Sequence, residues 1–180
     1  MRKIIIALLL CNTAFAQLPI DSTTHLISYT GVVQANGTQQ ELYSRAREWF
    51  AKTYNSAQSV IQMDNNSEIV GKALMQVYDK GKCGFINYTI SVFFKDGKYK
   101  YEITNLYHTG EQRPPTYIGS QYVTSQPVPD YGNCESMLHG KNKMWQRFYD
   151  KLLNQMDNNI KSLITSLKEA MNNQVLVKDF

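Results

Sequence analysis

Residues 84–108 constrain this chain more than any other stretch. Asp96-Gly97 separates two runs of alternating apolar and polar residues, Gly84–Lys95 and Lys98–His108. Asp-Gly is suited to the positive backbone angles of a two-residue hairpin turn. Such a turn opposes Lys95 to Lys98, Phe94 to Tyr99, Val92 to Tyr101 and Ile90 to Ile103. One face of the ribbon then carries Ile86, Tyr88, Ile90, Val92 and Phe94 beside Tyr99, Tyr101 and Ile103. The other carries Asn87, Thr89 and Ser91 beside Lys100, Glu102 and Thr104. A one-residue slip would mix the two faces, so turn and pattern fix one register. A ribbon of this kind is covered on one side and wet on the other. Phe85 and Phe93 interrupt the wet side and are candidate contact residues.

The cover is supplied by a second periodic segment. Met144, Trp145, Phe148, Leu152, Met156, Ile160, Leu163, Leu167 and Ala170 recur every three or four residues. They predict one helix over about 141–172, on the order of 45 Å long at 1.5 Å per residue. Asp150, Lys151, Asn154, Asp157, Lys161 and Lys168 fall off the apolar stripe.

Other elements follow from local signals. Leu26–Gln34, rich in β-branched and aromatic residues, reads as a first strand. Thr38-Gln39-Gln40-Glu41 is a capping box that opens a helix over Gln39–Tyr54, with Trp49 and Phe50 facing inward. Ser59–Met63 and Glu68–Tyr78 read as strands, with Gly71 marking a bulge or a close backbone approach. Residues 17–25 form an extended leader, and 109–133 an irregular loop with a weak strand near Tyr117–Val123. The order β-α-β-β-β-β-α predicts an α+β fold of two layers. In it a curved antiparallel sheet of about five strands packs against one short and one long C-terminal helix.

The N-terminus reads as an address. Arg2 and Lys3 precede the apolar run Ile4–Leu10, and Ala14-Phe15-Ala16 closes it. These are the parts of a secretory signal peptide. The expected organisation is a signal peptide at 1–16 and a single domain at 17–180, with its core over about 26–173. The chain is expected to be exported to the periplasm, cell envelope or exterior. The full sequence has 19 Lys plus Arg, 15 Asp plus Glu and a net charge of +4. Removing Arg2 and Lys3 lowers the net charge of the mature chain to +2. That near-neutral balance argues against nucleic-acid binding. No later apolar run is long enough for a membrane span.

Two cysteines outlast the leader, Cys83 and Cys134. An even number in an exported chain points to a disulfide between them, with two buried thiols as the alternative.

The stretch Glu41–Ala51, with Val60–Asp64 and Ile69–Ala73, resembles the exported bacterial family called domain of unknown function 4468, typical of the Bacteroidetes group. The resemblance runs over roughly Tyr29–Leu106. It implies a TATA-binding-protein-like fold, a curved antiparallel sheet with helices on one side. It carries over no catalytic residues, and the name of a fold does not import DNA binding.

A search for chemistry finds little. No metalloprotease, nucleophile-elbow, P-loop or dinucleotide-binding motif occurs. A Cys83 nucleophile with His139 and Asn142, a metal set of Cys83, Cys134, His108 and His139, and acid–base work by Asp64, Glu68 or Asp79 each lack diagnostic spacing. The expectation is a non-enzymatic binding or interaction module with no cofactor and an unidentified envelope partner. Its working surface would be the outer sheet face or the loop from Thr109 to Tyr131, with Arg113, Tyr117 and Tyr122 as candidate contacts. The alternative is a carrier of a small apolar ligand or lipid in a pocket between sheet and long helix, lined by Tyr88, Tyr99 and Tyr101.

Overall fold

The structure is a computed structural model. It describes residues 18–78, 82–109, 116–118, 121–123, 132–139 and 143–172. The strands of its main sheet are β1 (Tyr29–Gln34), β2 (Ile61–Asn65), β3 (Glu68–Tyr78), β4 (Lys82–Lys95) and β5 (Lys98–Thr109), in the order β1-β5-β4-β3-β2. All pairings are antiparallel. A small hairpin, β6 (Thr116–Ile118) and β7 (Gln121–Val123), stands apart, and β8 (Gly132–Asn133) adds to β5.

The hairpin register is the expected one: Lys95 opposes Lys98, Phe94 opposes Tyr99, Val92 opposes Tyr101 and Ile90 opposes Ile103. Beyond Ile103 the ladder shifts. Thr89 opposes Thr104 while Asn87 opposes Tyr107, so β5 holds one extra residue. Asn105 takes φ 55 there. Asn is among the few residues that accept this left-handed conformation at small cost. The insertion switches which residues of β5 face inward, from Tyr99, Tyr101 and Ile103 to Leu106 and His108, all buried. Without it Asn105 would enter the core and Leu106 would face water.

The helices cover one face of the sheet. Helix α1 (Gln39–Thr53) starts at the predicted capping box and buries Leu42, Arg45, Ala46, Trp49 and Phe50. A single turn, α2 (Ala57–Val60), follows and leads into β2. This corrects the expected strand over Ser59–Met63, because the Ser59 and Val60 amides donate back to Ser56. Gly71 marks a close approach. A Cβ there would lie 2.9 Å from Phe50 and 3.1 Å from Val60. The bulge sits opposite, between Ile61 and Met63.

Helix α3 (Lys143–Asn172) buries Leu152, Leu153, Met156, Ile160, Ile164, Leu167 and Met171 against the sheet and α1. Met144 and Trp145 carry side chains outside the described residues. Trp49 Nε1 donates to Ser166 Oγ at 3.0 Å, and Arg45 Nη1 donates to the Met171 carbonyl at 2.9 Å. The two contacts advance along α1 and α3 in opposite order, from Trp49 back to Arg45 and from Ser166 on to Met171, so the helices run antiparallel. Asp157 corrects the expected stripe: it is 3% exposed. It accepts from the Tyr29 hydroxyl at 2.8 Å and from Lys161 Nζ at 2.6 Å. A carboxylate is tolerated inside when donors surround it.

The leader is tied down as well. Ile20 bridges Ile27, and the Ile27 amide donates to Glu135 Oε1 at 2.7 Å. The first strand therefore begins later than expected, at Tyr29, with Ile27 already fully buried. A short 3-10 turn, Cys134–Leu138, buries Cys134 and Met137.

Candidate functional site

An open cavity of about 870 Å³ lies where α1 ends over the sheet. Its walls are Thr53–Ser56, Ser59 and Val60 on the helix side, and Lys72–Leu74, Asn87–Thr89 and Asn105 on the sheet side. Local sequence explains its position. Helix α1 stops at Tyr54, whose amide donates to the Phe50 carbonyl. The chain then turns sharply through Asn55 and Ser56 before re-entering the sheet. Below that turn, β3 offers only Gly71 and Ala73 on the covered face, too small to fill the space.

Strand alternation divides the lining. Ala73 and Tyr88 face the helices. Lys72, Leu74, Asn87 and Thr89 send their side chains to the other face, where Asn105 Nδ2 donates to Thr89 Oγ1 at 3.2 Å. The Tyr54 and Tyr88 hydroxyls lie 3.1 Å apart inside this space. Burial pushes both phenols above their ordinary range, so both stay protonated at neutral pH. As protonated phenols they can donate to and accept from a ligand.

A second concavity of about 780 Å³ lies on the solvent side of α1, between Gln40, Arg47 and Asp64. Asp64 accepts from Tyr43 at 2.8 Å and pairs with Arg47 Nε at 3.1 Å. The carboxylate thus already has two partners among its neighbours.

The remaining candidates are scattered. Phe85 and Phe93 are half-buried on the outer sheet face, where Lys100 Nζ stands 5.9 Å over the Phe93 ring. Tyr117 and Tyr122 oppose one another across β6 and β7, with side chains outside the described residues. Arg113, Asp79 and Asn142 also lie outside them. His139 is exposed, whereas His108 is fully buried. Among the described residues no group of three His, Cys, Asp or Glu could hold a metal ion. No helix among them is long and apolar enough to cross a membrane.

The expected Cys83–Cys134 disulfide is not found. Cys134 is a free thiol enclosed in the core, and the side chain of Cys83 lies outside the described residues. Burial pushes the Cys134 thiol up to about 12. Of the three tyrosines expected to line a pocket between sheet and long helix, Tyr99 and Tyr101 are buried in the core, and Tyr88 lines the cavity at the end of α1. Sequence reasoning missed Tyr54, Ala73 and Asn105 as lining residues. Gly71 and Ala73 among larger neighbours were the one available signal.

Comparison with known proteins places this architecture. Residues 29–109 match the family described as a domain of unknown function (DUF4468) with TBP-like fold. A TBP-like protein from Parabacteroides distasonis superimposes with a TM-score of 0.54 at 14% identity, over 79% of this chain and 93% of that one. A DUF4468 family protein from Bacteroides ovatus superimposes with a TM-score of 0.51 at 15% identity, over 82% of this chain and 90% of that one. At such identities the likeness concerns the fold alone. No curated protein matches the chain. The matched segment and the shared strand and helix layers agree, and the chain carries a domain of unknown function 4468, with the TBP-like fold, at residues 29–109.

Proposed function

We propose that this chain is an exported binding domain of the bacterial cell envelope, and that it holds its partner at the cavity beneath the end of α1 without catalysing a reaction. One observation carries this reading: an open space of about 870 Å³ contains a pair of protonated phenol hydroxyls 3.1 Å apart. Concave, largely apolar sites with a few placed polar groups are where proteins take ligands. Export rests on the basic, apolar and A-x-A segments at 1–16.

Two measurements test the proposal. Intact mass of protein from the envelope fraction of its native host should give a chain beginning at Gln17, and a chain retaining Met1 would refute export. Affinity capture from the same fraction should lose its specific partner when Ala73→Leu fills the cavity. Capture unchanged by that variant would refute the site.

A further inference from the structure

Among the described residues, the edge of β3 beside the cavity is half vacant. Strand β2 pairs with β3 from Asn65–Glu68 to Ile61–Gly71 and stops. Among the described residues no strand continues this pairing, although β3 itself runs on to Tyr78. The direction of the vacant groups follows from one bond. The Phe94 amide donates to the Ser67 carbonyl at 2.9 Å. In an antiparallel ladder, alternate residues bond to opposite neighbours. The odd-numbered residues from Ser67 onward therefore bond to β4, and the even ones turn away from it. Leu74 and Gln76 present their amides and carbonyls to the open edge.

The next even residue shows what such an edge accepts. The Tyr78 amide donates to Gln155 Oε1 at 2.9 Å, and Gln155 Nε2 donates to the Tyr78 carbonyl. A side-chain amide here occupies the place of one peptide group from a further strand. The vacant stretch lies between this amide and the end of β2, and the cavity opens along it at Lys72, Ala73 and Leu74.

We propose that an extended peptide from a partner protein adds as a strand to the free edge of β3 at Lys72–Gln76. Main-chain bonds to Leu74 and Gln76 give such a complex its affinity, and side-chain pockets give it selectivity. The peptide residue opposite Ala73 points to the covered face and enters the cavity, where Tyr54, Val60 and Tyr88 favour an apolar or aromatic side chain. The adjacent residue, opposite Lys72, lies on the outer face. Lys72 is exposed, its cross-strand neighbours are Thr89 and then Thr104, and no carboxylate among the described residues pairs with it. An acidic peptide residue satisfies it. The recognised element is thus an extended segment with an acidic residue next to an apolar one. This inference rests on the cavity as the binding site and names the partner class for it.

A displayed library of random dodecapeptides, selected on the mature protein, tests the proposal. Enrichment of peptides with adjacent acidic and apolar or aromatic residues is expected. Leu74→Pro removes one edge-facing donor and leaves the β3–β4 ladder intact, so it should weaken an enriched peptide at least about tenfold. Ala73→Leu should do the same. N-methylation of the peptide's sheet-facing amides should abolish binding, while methylation in the opposite register should not, which tests the edge with unaltered protein. No enrichment, or full binding by Leu74→Pro and by the N-methylated peptide, overturns the strand-addition proposal. If Ala73→Leu alone destroys binding, the cavity reading survives and the edge does not. Self-association of the protein that Leu74→Pro abolishes would make a second copy the occupant and also overturn the proposal.

Discussion

Tyr29 in the first strand donates its hydroxyl to Asp157 in the last helix, 2.8 Å away and buried. The bond ties the two ends of the fold across 128 residues of sequence. Tyr99 lies in the same sheet with its hydroxyl buried and no partner among the described residues. The two tyrosines therefore predict opposite outcomes. Tyr29→Phe should destabilise the protein by about 1–3 kcal/mol, because Asp157 loses a buried donor. Tyr99→Phe should be neutral or stabilise by up to about 1 kcal/mol, because it removes an unpaired polar group. Urea unfolding of both variants checks the signs.

Arg45 anchors the end of α3 from α1. Its Nη1 donates to the carbonyls of Asn36 at 2.6 Å and Met171 at 2.9 Å. Carbonyls in the last turn of a helix have no partner within it, and a cation there also suits the helix dipole. Arg45→Met keeps the apolar stem and deletes both bonds. A loss of about 2 kcal/mol is expected by chemical denaturation. Greater amide exchange should appear at 168–172, with none near Leu152.

Alkaline pH should unfold the protein through its tyrosines. Burial raises the phenols of Tyr29, Tyr54 and Tyr88, and lifts that of Tyr99 to about 12. An unfolded phenol releases its proton near about 10, whereas the folded ones hold theirs longer. The unfolded state then binds fewer protons, so stability falls as pH rises. The contribution is complete below about pH 10 and is lost as pH climbs towards the folded values. Thermal melts from neutral to strongly alkaline pH should show this fall, with tyrosinate absorbance appearing only on unfolding for these four residues.

Cys134 should resist thiol reagents in the native protein. The thiolate is the reactive form, and burial keeps this group a thiol up to about 12. Alkylation followed by peptide mass spectrometry should find Cys134 unlabelled in buffer and labelled in denaturant. Equal labelling in both would contradict its place in the core.

Much of the fold was legible because local and long-range signals agreed. Asp96-Gly97 and the alternation around it fix the register from Lys95–Lys98 to Ile90–Ile103. Thr38 and Glu41 fix the start of α1. What escaped depended on distant partners. Asp157 looks like a solvated helix residue until Tyr29 is placed beside it. The extra residue at Asn105 leaves no mark in the alternation until the strand opposite is counted. The site was less legible than the fold, since its space comes from the absence of side-chain volume at Gly71 and Ala73. Neither residue carries chemistry for a motif to detect.

The most direct test of the cavity is amide hydrogen exchange on the full mature chain, with and without a partner captured from the native envelope. The account predicts slowed exchange in 53–60 and 72–76, with the opposite side of α1 around Gln40 and Arg47 unchanged. Protection confined to that opposite side, or to the outer face around Phe93 and Val32, would contradict it.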